Sequence, residues 1–119
     1  INAPIFSGCS RYNRIQQAKI DVDKIETSKK QVSQQLILEA QNKKSQYTFA
    51  ISQYQTTEDN MKLAQRIFDK TKIKYNEGIS SSLDLTTANN QLLDSQSKFI
   101  SAAFQLIQAK ANLDKALNQ

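Results

Sequence analysis

The side chains that could carry chemistry in this chain are few, and their spacing does not assemble them. No residue is His, so the commonest general base and metal ligand is missing. Cys9 is the single cysteine, which excludes an intrachain disulfide and a zinc site built on cysteines. Asp21 and Asp23 lie close enough in sequence to suggest paired carboxylates. On a helix, however, a two-residue step places them on different sides, and both read as surface charges. Ser80, Ser81 and Ser82 present three hydroxyls with no base beside them in sequence, so they read as turn and cap residues. There is no glycine-rich phosphate loop. The chain is expected to be no enzyme and to hold no cofactor and no metal.

What remains is a pattern built for helices. Gly occurs twice, Pro once and Trp not at all, so little interrupts a helix. From Leu85 to Ala116 runs an unbroken ladder of three- and four-residue steps: Leu85, Ala88, Leu92, Ser95, Phe99, Ala102, Leu106, Ala109, Leu113 and Ala116. Such a ladder is a coiled-coil seam. Large and small residues alternate along it, which lets a partner backbone approach at each Ala or Ser and predicts a close-packed helix pair.

A second ladder fills the first part of the chain: Ile15, Ala18, Val22, Ile25, Lys29, Val32 and Leu36, then Ala40, Lys43, Tyr47, Ala50, Tyr54, Thr57, Met61, Ala64, Phe68, Thr71 and Tyr75. Its one irregularity is the pair of four-residue steps Val32, Leu36, Ala40, a stutter that locally unwinds a left-handed supercoil without ending the helix. The pattern predicts a helix over about 10–77, a turn over about 78–81 and a second helix over about 82–118. Gly78 suits the left-handed position that ends a helix, and Ser81 or Ser82 can cap the next, with Asp84 three residues after Ser81 as in a capping box. Residues 1–9 hold the only Pro. Ala3-Pro4-Ile5-Phe6 reads as a short extended segment ending in a turn, and residues 10–119 read as one coiled-coil domain.

The two helices differ in length, roughly 100 Å against roughly 55 Å at the helical rise per residue. Folded back from Gly78, the second covers the first only to about Lys43. Ile15, Val22, Ile25, Val32 and Leu36 then carry apolar surface without a partner in the chain, and self-association of the isolated chain is expected. Leu93, Ile100, Ala103, Ile107, Ala111 and Leu117 form a further apolar line on the second helix. A helix contacted on two sides fits a closed ring of helices or a self-associated bundle, and periodicity does not separate the two.

The net charge of +5 comes from lysines dispersed along helical faces. Tyr47, Tyr54, Phe68 and Tyr75 fall on the apolar ladder rather than beside a basic stripe, so no nucleic-acid partner is expected. No stretch approaches the roughly 20 apolar residues of a spanning helix. Phe6-Ser7-Gly8-Cys9 has the outline of a lipoprotein cleavage box, but no basic segment or long apolar run precedes it.

The segment from Phe68 to Asp84, FDKTKIKYNEGISSSLD, and the following LTTANNQLL resemble the periplasmic hairpin tip of the TolC-like outer-membrane efflux proteins. There a Tyr, two residues and a Gly precede a short turn, then come an Asp, an apolar residue and an Ala with a Leu-rich helix. Ala3-Pro4-Ile5-Phe6-Ser7-Gly8 is similar to that family's strand-to-helix junction, and Ala111-Asn112-Leu113-Asp114-Lys115-Ala116-Leu117 to its helix-closing segment. Together these span essentially the whole chain and look most like the C-terminal half of the family's internal repeat.

The resemblance implies an all-α antiparallel coiled-coil hairpin, one piece of an α-barrel that forms the periplasmic tunnel of a trimeric outer-membrane channel. The implied partners are a periplasmic adaptor and an inner-membrane pump, in efflux of small molecules or in type I secretion by a Gram-negative bacterium. It further implies that Gly78, Ile79, Ser80, Ser81 and Ser82 form the docking tip. Tyr75 would help hold the resting tip closed, and Asp84 would face the tunnel. Ser80 stands where some members have an Arg that ties the closed state, and Thr87 where some have a second gate Asp, which weakens the expectation of the same ion pairs. Cys9 replaces a Gly common at the junction. The rival reading is a self-associating structural or adaptor hairpin of a secretion apparatus.

Overall fold

A computed structural model describes the backbone of residues 7–118 and the side chains of residues 11–118. Two helices make up the described chain, α1 (Ser7–Asn76) and α2 (Ser82–Leu117), and the fold is all-α. The stretch Ala3 to Phe6, expected to be extended, lies outside the described residues. The first helix opens at Ser7 rather than at Ser10. A single glycine inside a helix costs only about 1 kcal/mol, so Gly8 does not hold back its start. The far ends fall within a residue of expectation, at Asn76 and Leu117.

The chain divides into two units, residues 1–39 and residues 40–119. In the first, the described residues belong to α1 and every side chain from residue 11 to residue 39 is exposed. Ile15, Val22, Ile25 and Val32, the apolar ladder of this stretch, are each more than half exposed, and Leu36 nearly so. Thr27 bends its hydroxyl back to the Asp23 carbonyl at 2.8 Å.

In the second unit the rest of α1 and all of α2 form an antiparallel hairpin whose seam follows the ladders. Every ladder position from Ala40 to Thr71 and from Leu85 to Ala116 is buried or half-buried. Burial begins at Ala40 and Lys43, where the length of α2 predicts it. Among the described residues the most enclosed are small ones, Ala50, Ala64, Ala88 and Ala102, with Leu92 the only large side chain among them and Thr57 the one polar residue. Small residues can be this enclosed only when the opposite helix comes close, so the size alternation is what draws the pair together. Larger residues such as Tyr54 and Phe99 lie across the seam with ring centroids 5.1 Å apart at 45°, an arrangement worth about 0.5–1.5 kcal/mol beyond area burial.

The seam closes unevenly. On one edge Ile51, Glu58 and Gln65 of α1 and Asn89, Gln96 and Ala103 of α2, each set seven residues apart, are half-buried. The other edge stays open and leaves the grooves described below. Hydroxyls do not cross the seam: Thr48, Thr56, Thr57 and Thr71 on α1, and Thr86, Thr87 and Ser95 on α2, each donate to a carbonyl one turn back in their own helix. Among the described residues, each side-chain hydrogen bond joins residues three or four apart.

Candidate functional site

The turn between the helices is built by its own backbone and one carboxylate. As α1 ends, the amide of Gly78 donates to the Tyr75 carbonyl at 3.0 Å, and the amides of Ile79 and Ser80 donate to the Lys74 carbonyl at 2.8 and 3.3 Å. These bonds satisfy carbonyls that a helix end leaves free. They require a left-handed residue at Gly78, which has φ +76°. A Cβ there would meet nothing within 4 Å, so the demand for glycine is conformational rather than steric.

Ser81 then caps α2 from an extended backbone, φ −80° and ψ 160°. Its hydroxyl accepts from the Asp84 amide at 3.1 Å. The Asp84 carboxylate oxygen Oδ2 in turn accepts three donors: the Ser81 hydroxyl at 2.7 Å, the Ser81 amide at 3.0 Å and the Ser80 hydroxyl at 3.2 Å. This is the expected capping box with an added bond from Ser80. The Ser81 hydroxyl first, then its amide, then the Ser80 hydroxyl hold the Asp84 carboxyl below the usual carboxylate range, because each stabilises the charged form.

The remaining candidates are placed as follows. Gly78, Ile79, Ser81 and Ser82 are exposed, and Ser80 is half-buried. Tyr75, at the end of the seam, is 43% exposed. Thr87 is exposed six residues beyond the Ser81 cap, with its hydroxyl on the Leu83 carbonyl at 2.8 Å. Ile79 and Leu83 are 72% and 73% exposed and flank the serine turn. The expectation included Ile79 and omitted Leu83. Its signal was present, since Leu83 lies two residues before the seam residue Leu85 and therefore off the seam.

The open edge of the seam forms two shallow cavities that share Thr57 and Lys98. One, of about 220 Å³, is lined by Asn60, Leu63, Ala64 and Ile67 from α1 and by Gln91, Asp94 and Ser95 from α2. The other, of about 320 Å³, adds Gln53 from α1 and Ser97, Ser101, Ala102 and Gln105 from α2. Within this groove Lys98 Nζ meets Asp94 Oδ2 at 2.6 Å. Among the described residues no group of three or more His, Cys, Asp or Glu side chains could hold a metal.

The hairpin, its glycine-closed turn and its length can be set against known proteins. The family model for the outer membrane efflux protein matches residues 1–119. The chain belongs to the outer membrane efflux protein family. No curated protein and no solved structure matches it. Membership makes this a TolC-like chain of a non-enzymatic channel family, with outer-membrane efflux as its role. Proteins of this family form trimers that work with adaptors and pumps. Among the described residues no helix is long and apolar enough to cross a membrane.

Proposed function

We propose that this efflux-family hairpin forms a wall segment of the periplasmic tunnel of a homotrimeric outer-membrane channel, in tripartite efflux of small molecules or in type I secretion. The turn Gly78–Ser82, with Leu83, docks a periplasmic adaptor that couples the channel to an inner-membrane pump. Tyr75, Asp84 and Thr87 form the gate region beside it. The observation that carries this reading is the family match over the whole chain on a hairpin that exposes Ile79 and Leu83 at its closed end.

Two measurements test it. The first is the solution mass, by light scattering, of the chain and of residues 43–119. Association of the full chain with a monomeric shorter one supports a hairpin whose Ile15 to Leu36 surface is normally covered by other helices. If both are monomeric and fully helical, the tunnel reading loses its physical support. The second is efflux by the full-length protein carrying Ile79→Asp and Leu83→Asp. Loss of efflux with an intact trimer is expected, and unchanged efflux would remove the docking role. Association of residues 43–119 themselves would favour the rival, a self-associating hairpin of a secretion apparatus.

A further inference from the structure

We infer that the open edge of the seam is the conduit-lining face of the hairpin, so that a passing solute meets the amide and hydroxyl groove rather than the Leu93, Ile100, Ile107 flank. The inference rests on the tunnel-and-gate reading above and extends it from the tip to the wall.

The first argument is register. Gln91, Lys98 and Gln105 follow Asp84 at successive seven-residue steps, and Asp94 and Ser101 follow Thr87 in the same way. In a left-handed coiled coil, residues seven apart stay on one side of the pair along its whole length. Whatever side Asp84 and Thr87 take at the tip, the groove therefore takes along the wall.

The second argument is the difference between the two flanks of α2. On the groove side the flank of α2 contributes amides, hydroxyls and one ion pair, with Ala102 beside the seam, while α1 adds Leu63 and Ile67 across from it. On the other side Leu93, Ile100 and Ile107, again seven apart, are 55%, 54% and 66% exposed. A water-filled passage favours the first lining, and contact with a neighbouring helix favours the second.

The lining also indicates a class of solute. Asp94 and Lys98 cancel in charge, while Leu63 and Ile67 stand at the α1 edge, 54% and 40% exposed. A surface that offers amide hydrogen bonds beside apolar side chains, with no net charge, suits small amphipathic molecules better than polyanions or strongly charged solutes.

The experiment is conductance of the full-length protein in planar bilayers. Single cysteines are placed at Gln91, Lys98 and Gln105, or at Leu93, Ile100 and Ile107, in a background in which Cys9 and every other native cysteine of the full-length protein is replaced by Ser, and reacted with a bulky charged thiol reagent. A drop in conductance at the first three and none at the last three is expected. A drop at the flank positions, or at neither set while labelling is confirmed by mass and the unlabelled protein conducts, overturns the assignment and leaves the channel reading standing. An unlabelled protein that forms trimers but does not conduct overturns both.

Charge reversal supplies a readout that does not depend on labelling. Lys98→Glu is expected to shift the reversal potential toward cations, since charged rings set pore selectivity. Lys62→Glu, on the opposite edge beside Glu58, is expected to leave it unchanged. The reverse pattern overturns the assignment.

Discussion

Residues 11–39 and the hairpin of residues 40–118 carry the same ladder of three- and four-residue steps, yet one is exposed throughout and the other is buried along its seam. The two stretches also differ in what occupies the rungs. In the hairpin, every second rung is small from Ala50 onward: Ala50, Thr57, Ala64 and Thr71 on α1, and Ala88, Ser95, Ala102, Ala109 and Ala116 on α2. In residues 11–39 the rungs are mostly branched, with Ile15, Val22, Ile25 and Val32. Branched residues hold a partner helix farther off than alanine does, because Cβ substituents set the spacing. The first stretch is therefore suited to a wider packing than the one α2 provides. A periodic pattern specifies which face is sticky; it does not specify what covers it.

The comparison breaks most readily at Leu92. It is 6% exposed, and Leu92→Ala is expected to lower hairpin stability by about 2–5 kcal/mol in urea unfolding followed by circular dichroism. Under conditions where the chain is monomeric, Ile25→Ala, at a residue 68% exposed, is expected to change stability by no more than about 0.5 kcal/mol. Equal losses at the two sites would mean that residues 11–39 are packed.

Next in size is the close approach of the helices. Ala102 is 3% exposed, and Ala102→Leu is expected to cost about 1–3 kcal/mol by forcing the backbones apart. A gain in stability would contradict an interface set by small residues.

At the turn, Gly78→Ala is expected to cost about 1–2 kcal/mol in the same unfolding measurement, the penalty of a left-handed backbone for a residue with a Cβ. Ser81→Ala removes the α2 cap and is expected to cost about 1 kcal/mol. Acid tests the same turn. Asp84 has a depressed carboxyl pKa, so its contribution is full above the unfolded carboxylate pKa and is lost as pH falls through the lower folded value. Amide exchange at Ser81 and Asp84 should therefore quicken relative to the middle of α2 as the solution is brought below about pH 4. No change there in acid would count against the triple hydrogen bond.

The smallest effect belongs to the groove. Asp94→Asn breaks the exposed pair with Lys98 and is expected to lower stability by only about 0.3 kcal/mol. A much larger loss would mean that the pair bears on the seam itself.

Much of this was legible in the chain. The ladders name each half-buried and buried seam position between Ala40 and Thr71, and Gly78, Ser81 and Asp84 announce the turn by residue type and spacing. The pattern places the start of α1 late, at Ser10 rather than Ser7, because Gly8 and the proline-containing segment before it read as a boundary. The bond from Ser80 to Asp84 was not legible, since it depends on the turn folding its serines toward one oxygen. Nor was the open edge of the seam, because a heptad pattern treats the two flanks of a seam alike and only packing decides which one closes.

The confinement of each side-chain hydrogen bond among the described residues to partners three or four apart in sequence has a consequence for alignment. Among the described residues no side-chain hydrogen bond or ion pair ties α1 to α2 along their length, and a large-and-small repeat matches itself again after each seven-residue slide. The seam alone therefore defines a set of equivalent settings, like the teeth of a rack. The short turn from Gly78 to Asp84 is the stop that selects one of them, and a residue inserted there would put every tooth out of step.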